Sequence, residues 1–150
     1  MTIRCEIVSQ DRMVYQGDAD IVVLPGTEGE MGILPNHAPL LTTLKIGIIK
    51  VRSHGKEEIF TVAGGVAEVQ PDIVTVLADA AENVQEIDVA RAEDARKRAE
   101  AALVKSIPVE DSDAYLSVEA ALHRSNLRLD AVKRFRRGPA KPSRFSDESR

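Results

Sequence analysis

EGEMGILPNHAPLLTTLKIGIIKV, residues 28–51, answered by TVAGGVAEVQPDIVTVLAD, residues 61–79, decides the architecture of the front of this chain. Both are short runs rich in Val, Ile and Thr, interrupted by glycine and proline, the composition of strands separated by turns. Working outward, residues 3–8, 19–24, 46–52, 58–63, 66–69 and 73–78 read as strands. The breaks carry Gly17, Pro25-Gly26, Gly29, Gly32, His54-Gly55, Gly64-Gly65 and Pro71-Asp72. Many short strands with no helix between them predict antiparallel pairs folded into a β-sandwich or flattened barrel, in which two layers bury alternate apolar faces against each other.

Near Glu86 the period changes from two to about three and a half. Asp88 is a good N-cap, and DVARAEDARKRAEAALVKS is rich in alanine and long side chains, which lose little on entering a helix. Ala92, Ala95, Ala99, Ala102 and Leu103 line one face. After the break at Ile107-Pro108-Val109-Glu110-Asp111, a second helix is expected from Ser112 or Asp113 to about Arg137. Its seam is Tyr115, Val118, Leu122, Ser125, Leu129 and Val132. The fold expected is therefore α+β with segregated parts: a β-sandwich over residues 1–86 and an antiparallel helical hairpin over residues 87–137. Residues 138–150, with two prolines and a polar bias, are expected to be disordered.

Composition narrows the function. Aromatics make up 3% of the 150 residues and Trp is absent, which suits an aliphatic scaffold better than an aromatic-lined ligand pocket. The single Cys5 cannot form an internal disulfide and reads as an inert strand residue in a reducing compartment. No long apolar run marks a signal peptide or a membrane span, so the expected home is the cytosol, with membrane contact only through a partner. The net charge of −4 conceals an asymmetry: residues 1–86 carry 6 Lys/Arg against 13 Asp/Glu, a net of −7, and residues 87–150 carry 14 against 11, a net of +3. An acidic front half argues against nucleic acid as its partner, while the basic back half suits an acidic protein surface or a polyphosphate. His37, His54 and His123 fall in three different elements with no neighbouring ligand at metal-binding spacing, and no nucleophile is partnered to a base.

The acidic-glycine loop, the GILPNHAPLL segment, and the AGG and EVQ elements resemble the epsilon subunit of the bacterial F-type ATP synthase. The likeness begins near Ile3 and continues into the helical part, loosening after Val104. It implies a sandwich of about ten strands and a non-catalytic rotor component that joins the central stalk to the membrane ring. On composition alone Glu28 and Glu30 are the carboxylates of an ordinary acidic hairpin; the resemblance implies that Glu30, with Glu28 and Met31 beside it, meets the polar loops of the c-ring. Ile87-Asp88-Val89-Ala90-Arg91-Ala92 fits the I-D-x-x-R-A pattern with which bacterial members bind ATP. Asp88 and Arg91 are three apart on one helix face with Arg98 two turns on, and Arg124 and Arg128 are four apart on the second helix. A folded hairpin is expected to converge these guanidinium groups on a triphosphate, with Asp88 and Glu82 left for the adenine or ribose. The bland reading of the same residues is an N-cap and solvated arginines paired to Glu93, Asp94 and Glu100.

The expected ATP site is thus Glu82, Ile87, Asp88, Arg91, Ala92, Arg98, Arg124 and Arg128. ATP is a regulatory ligand there and no cofactor is required, because nothing supplies a Gly-rich phosphate loop, a magnesium carboxylate pair or a positioned base. Lys133, Arg134, Arg136 and Arg137 end the second helix with dense positive charge, suited to an acidic segment of the catalytic head in an extended state that blocks hydrolytic rotation. Expected partners are the gamma subunit, the c-ring and the alpha/beta head, at the cytoplasmic face of the cell membrane and without insertion into it. A free-standing ATP-sensing module acting on another protein is the alternative. A small β-sandwich enzyme built on His37 ranks last.

Overall fold

The computed structural model describes residues 1–105 and 112–136. Strand β1 (Ile3–Val8) alternates strictly, with Ile3, Cys5 and Ile7 fully buried, as expected when one strand face is covered. It pairs antiparallel with β2 (Met13–Ala19) and parallel with β7 (Ile73–Ala78). Strands β3 (Ile21–Gly26) and β4 (Gly29–Ile33) form a hairpin, and β3 also pairs with β5 (Leu40–Ser53). Strand β5 turns at His54-Gly55 into β6 (Lys56–Val69). Both turn residues have positive φ, 51° and 77°, the geometry that matches the right-handed twist of a two-residue hairpin. The order is β2-β1-β7-β6-β5-β3-β4, with β8 (Ala81–Asn83) added to β6 off that path.

The described residues form eight strands where about ten were expected. Strands β5 and β6 run 14 residues each, so 58–63 and 66–69, read as two strands, are one. Their ladder skips Lys45 opposite Gly64. A Cβ on Gly65 (φ 132°) would lie 2.3 Å from the Leu77 carbonyl oxygen, so only glycine lets β6 bend there while keeping β7 against it. The expected break at Gly64-Gly65 is therefore a bend inside a strand. Strands β2, β4 and β8 were not anticipated as strands, and the expected strand 19–24 begins later, at Ile21.

The core is aliphatic, built from Ile3, Ile7, Leu24, Ile33, Ile49 and Val76 around one large ring, Phe60, which Tyr15 meets with centroids 5.3 Å apart and a tilt of 58°. Burial pushes the Cys5 thiol up to about 12, with Glu6 adding to it, and raises Tyr15, with Glu58 adding to it.

A single 3-10 turn (Val84–Glu86) leads to helices α1 (Val89–Val104) and α2 (Ser112–Phe135). The Asp88 carboxylate accepts the Arg91 backbone N–H at 3.2 Å, the N-cap expected of it. Ala92 and Ala99 are buried in the α1–α2 seam together with Ser125. The Ser125 hydroxyl donates to the Ala121 carbonyl at 2.9 Å, so a polar group in the seam costs little. Tyr115, expected in the seam, is exposed. The hairpin is folded back: the end of α2 docks Ala131, Val132 and Phe135 on Ile48, Ile59, Val84 and Ile87. The expected disordered tail, 138–150, lies outside the described residues, as do Ile107-Pro108 and Arg137.

Candidate functional site

Between the sandwich and α2 lies a cavity of about 460 Å³, within the usual few-hundred-Å³ range of small-molecule sites. One wall is the turn after β1, with Ser9, Asp11 and Arg12; a second is the end of β7 and the start of β8, with Asp79, Ala81 and Glu82; the third is α2, with Ala121, Arg124, Ser125 and Arg128. Helix α1 contributes Ala95. Three guanidinium groups and three carboxylates therefore face one space, a lining that balances in formal charge.

The strongest fixed contact is a fork. Arg128 donates from Nε to Glu82 Oε2 at 2.7 Å and from Nη2 to Glu82 Oε1 at 3.0 Å, a bidentate geometry that ties α2 to β8. The two side chains keep 25% and 32% of their surface exposed, so the pair is neither dry nor fully screened. At the far end of α2, Arg136 Nη2 donates to the carbonyls of Val84 (2.8 Å) and Ile87 (2.7 Å). These two carbonyls bracket the turn from which the hairpin hangs.

Of the residues expected to bind ATP, Glu82, Arg124 and Arg128 share the cavity. Arg91 and Arg98 are exposed on α1 and do not line it, Asp88 is engaged as the cap, and Ile87 and Ala92 are buried in packing. The expected convergence of guanidinium groups from both helices is replaced by a cleft between α2 and the sandwich, because α1 presents its alanine face to α2 and leaves Arg91 and Arg98 in solvent. Arg12 and the Ser9 turn were missed: they lie more than seventy residues from the helices, and no periodicity links them.

At the other end of the sandwich, Glu28 and Glu30 project into solvent from the β3–β4 hairpin, which Thr27 pins through a 2.8 Å hydroxyl contact to Thr43. Met31 is half-buried and packs against the core, its Cε beside Gly26. Asn36 holds a φ of 63° and donates its backbone N–H to the Pro71 carbonyl, fixing the corner on which His37 sits. Lys133 and Arg134 are exposed, and the Arg134 guanidinium lies 5.0 Å from the centroid of the Phe135 ring. Among the described residues no cluster of His, Cys, Asp or Glu could hold a metal, and no helix is long and apolar enough to cross a membrane.

Comparison with known proteins is consistent along nearly the whole chain. A family model described as the ATP synthase Delta/Epsilon chain beta-sandwich domain matches residues 2–84, and one described as the long alpha-helix domain of the same chain matches residues 85–133. The ATP synthase epsilon chain of Dehalococcoides mccartyi is 44% identical over 138 residues, covering 91% of this chain and 96% of that one. That of Pelotomaculum thermopropionicum is 56% identical over 104 residues, 69% of this chain and 78% of that one. Among solved structures, a chain of the Euglena gracilis mitochondrial ATP synthase OSCP/F1/c-ring assembly superposes with a TM-score of 0.72 at 25% identity, covering 87% of this chain and 81% of that one. A chain of the Tetrahymena thermophila central stalk/c-ring structure, at 12% identity and TM-score 0.60 over 88% of this chain and 97% of that one, shares the fold.

Proposed function

The chain belongs to the ATP synthase delta/epsilon-chain family, and from that premise we propose that this non-catalytic subunit couples the catalytic head to the c-ring as part of the central stalk. It restrains ATP hydrolysis by moving α1 and α2, and it binds ATP as a regulatory ligand. Its partners are the gamma subunit and the c-ring, and the alpha/beta head when the hairpin extends. It works at the cytoplasmic face of the cell membrane, carried there by the complex.

The observation that carries this reading is the pose of α2, folded back over a charged cavity and tied down by Arg128 on Glu82. A rotor element needs a stiff body with partner surfaces at its ends. The sandwich supplies the body. Glu28 and Glu30 at one hairpin suit the polar loops of a ring, and Lys133 and Arg134 at the end of α2 suit an acidic surface. Extension of α2 into the head blocks rotation in the hydrolytic direction. ATP acts through its differential affinity for the folded-back form, since a ligand shifts an equilibrium by no more than that difference. Abundant ATP then favours release, and scarce ATP favours the brake.

A truncation ending at Glu86 tests the brake. Assembled into the synthase it should leave coupling intact and raise ATP hydrolysis, and unchanged hydrolysis would remove the brake from the mechanism. Calorimetry on the isolated full chain tests the ligand: Arg124, exposed at the cavity mouth, can be replaced by Ala without disturbing packing, and the variant should lose ATP binding that the parent has. Purification through a tag on the full chain should bring down gamma and ring subunits.

A further inference from the structure

We propose that Arg12, on the sandwich, is a third phosphate-binding guanidinium of the regulatory site, so that the nucleotide joins the sandwich to α2 and does not merely join α1 to α2. This rests on the reading of the cavity as an ATP site. The cavity owes only Ala95 to α1; its charged walls come from the turn carrying Arg12 and from α2 with Arg124 and Arg128. A polyanion seated there meets donors from two bodies at once.

The turn holds the backbone of Arg12 in place. Ser9 is buried, its backbone N–H donates to the Arg12 carbonyl at 2.9 Å, and its hydroxyl donates to Asp11 Oδ1 at 2.9 Å. The backbone is therefore fixed while the side chain is not. The Arg12 guanidinium reaches Glu86 at 3.4 Å, the long limit of a hydrogen bond, with both side chains more than half exposed. Such a contact is weak, and a guanidinium has five N–H donors, so Arg12 keeps capacity for a phosphate. Arg128, by contrast, is already forked onto Glu82. Arg12 and Arg124 are thus the two cavity guanidinium groups that can engage a ligand without first breaking a strong pair.

The consequence is mechanical. When α2 leaves the sandwich, Arg12 stays behind and Arg124 departs, so the site is divided and cannot hold a triphosphate by both ends. The ligand's preference for the folded-back form then follows from the location of its contacts.

The test is calorimetric titration of ATP into the full chain and four variants: Arg124→Ala, Arg12→Gln, Arg12→Lys and Glu86→Gln. Loss of one charge-assisted contact predicts affinity about tenfold weaker for Arg12→Gln, with Arg12→Lys between it and the parent. Glu86→Gln removes Arg12's partner and keeps Arg12, so it should bind at least as tightly as the parent. If the parent binds, Arg124→Ala fails and Arg12→Gln binds as the parent does, the role of Arg12 is overturned while the ATP site stands. If Glu86→Gln weakens binding as much as Arg12→Gln, the Arg12–Glu86 pair shapes the turn and Arg12 does not touch the ligand. A parent that binds no ATP overturns both readings.

Discussion

Replacing Arg136 by Ala should release the end of α2 from the sandwich. Two bonds from one charged nitrogen, to the carbonyls of Val84 and Ile87, are lost. A hydrogen bond from a charged donor contributes about 1.5–3 kcal/mol net. Two deductions apply. The residue is partly exposed, so water replaces some of what is lost, and its Nε is buried without a partner, a cost that disappears with the side chain. The remainder is about 2 kcal/mol, or roughly 30-fold in the balance between docked and undocked hairpin. Native-state hydrogen exchange reads this directly, because an alanine-seamed hairpin is marginal when undocked. Amides in the last two turns of α2 should exchange roughly 30-fold faster, with β1, β6 and β7 unchanged. Arg134→Ala, which removes only an exposed cation–π contact, should change them by less than threefold, a few tenths of a kcal/mol. If Arg136→Ala leaves the end of α2 within threefold of the parent, the two carbonyl contacts do not hold the hairpin and the reasoning fails.

Gly65→Ala forces a Cβ to within 2.3 Å of the Leu77 carbonyl at a φ of 132°; it should cost about 3 kcal/mol or more and lower Tm by roughly 10 °C in calorimetry. Glu82→Gln breaks a fork that is about a third exposed, so chemical denaturation should show a loss of about 1 kcal/mol, and a double-mutant cycle with Arg128→Ala should return a coupling of similar size. Cys5 should resist alkylation in the native state and react on unfolding. Because its folded value rises from 9.0 to about 12, the stability it contributes is fully present below pH 9 and is lost as pH climbs through that window. Tyr15, also raised, adds to the same alkaline loss, and Cys5→Ala should flatten its lower part in denaturation curves taken between pH 8 and 11.

Residues 3–8 and 73–78 were legible as strands to the residue, because both alternate or run apolar between turn signals and both lie in the middle of the sheet. The cap at Asp88 was legible for the same kind of reason, a local rule with a local cause. Strands β2 and β4 were not. MVYQGDA has no clean alternation and GEMGI carries two glycines, and both lie at the edges of the sheet, where only one neighbour enforces the strand. Gly64-Gly65 carried the composition of a turn but serves a bend, a distinction set by the approach of β7, which no local window contains. Of the residues that line the cavity, Arg124, Arg128 and Glu82 were singled out through helical spacing and resemblance. Arg12 and the grip of Arg136 on backbone carbonyls depend on where the hairpin comes to rest, and that pose is a tertiary fact.

That pose is held by attachments of comparable and modest size. The cluster around Ala131, Val132 and Phe135 is small, the Arg128–Glu82 fork is partly wet, and the Arg136 contacts involve a single nitrogen. None alone approaches the stability of the sandwich core. A ligand present at a hundred times its Kd adds about 2.7 kcal/mol to the form that binds it, which exceeds the worth of the Arg136 contacts and that of the fork. A nucleotide bridging Arg12 and Arg124 would therefore be able to decide where the hairpin rests, which it could not do if α2 were sealed to the sandwich by a broad apolar face. The alanine-rich seam, which buries little per residue, and the arginines in the second half of α2 and just beyond it act in the same direction: they keep the hairpin close to balance. Arg136 sharpens the choice, because a guanidinium committed to Val84 and Ile87 is withheld from any acidic surface on the head. Under the proposed brake, docking of α2 and engagement of the head compete for the same donor, so weakening this contact should raise both hairpin mobility and inhibition only where the replacement, such as Arg136→Lys, keeps the charge. Arg136→Ala should loosen the hairpin and yet inhibit less than Arg136→Lys, an ordering that a purely steric brake does not produce.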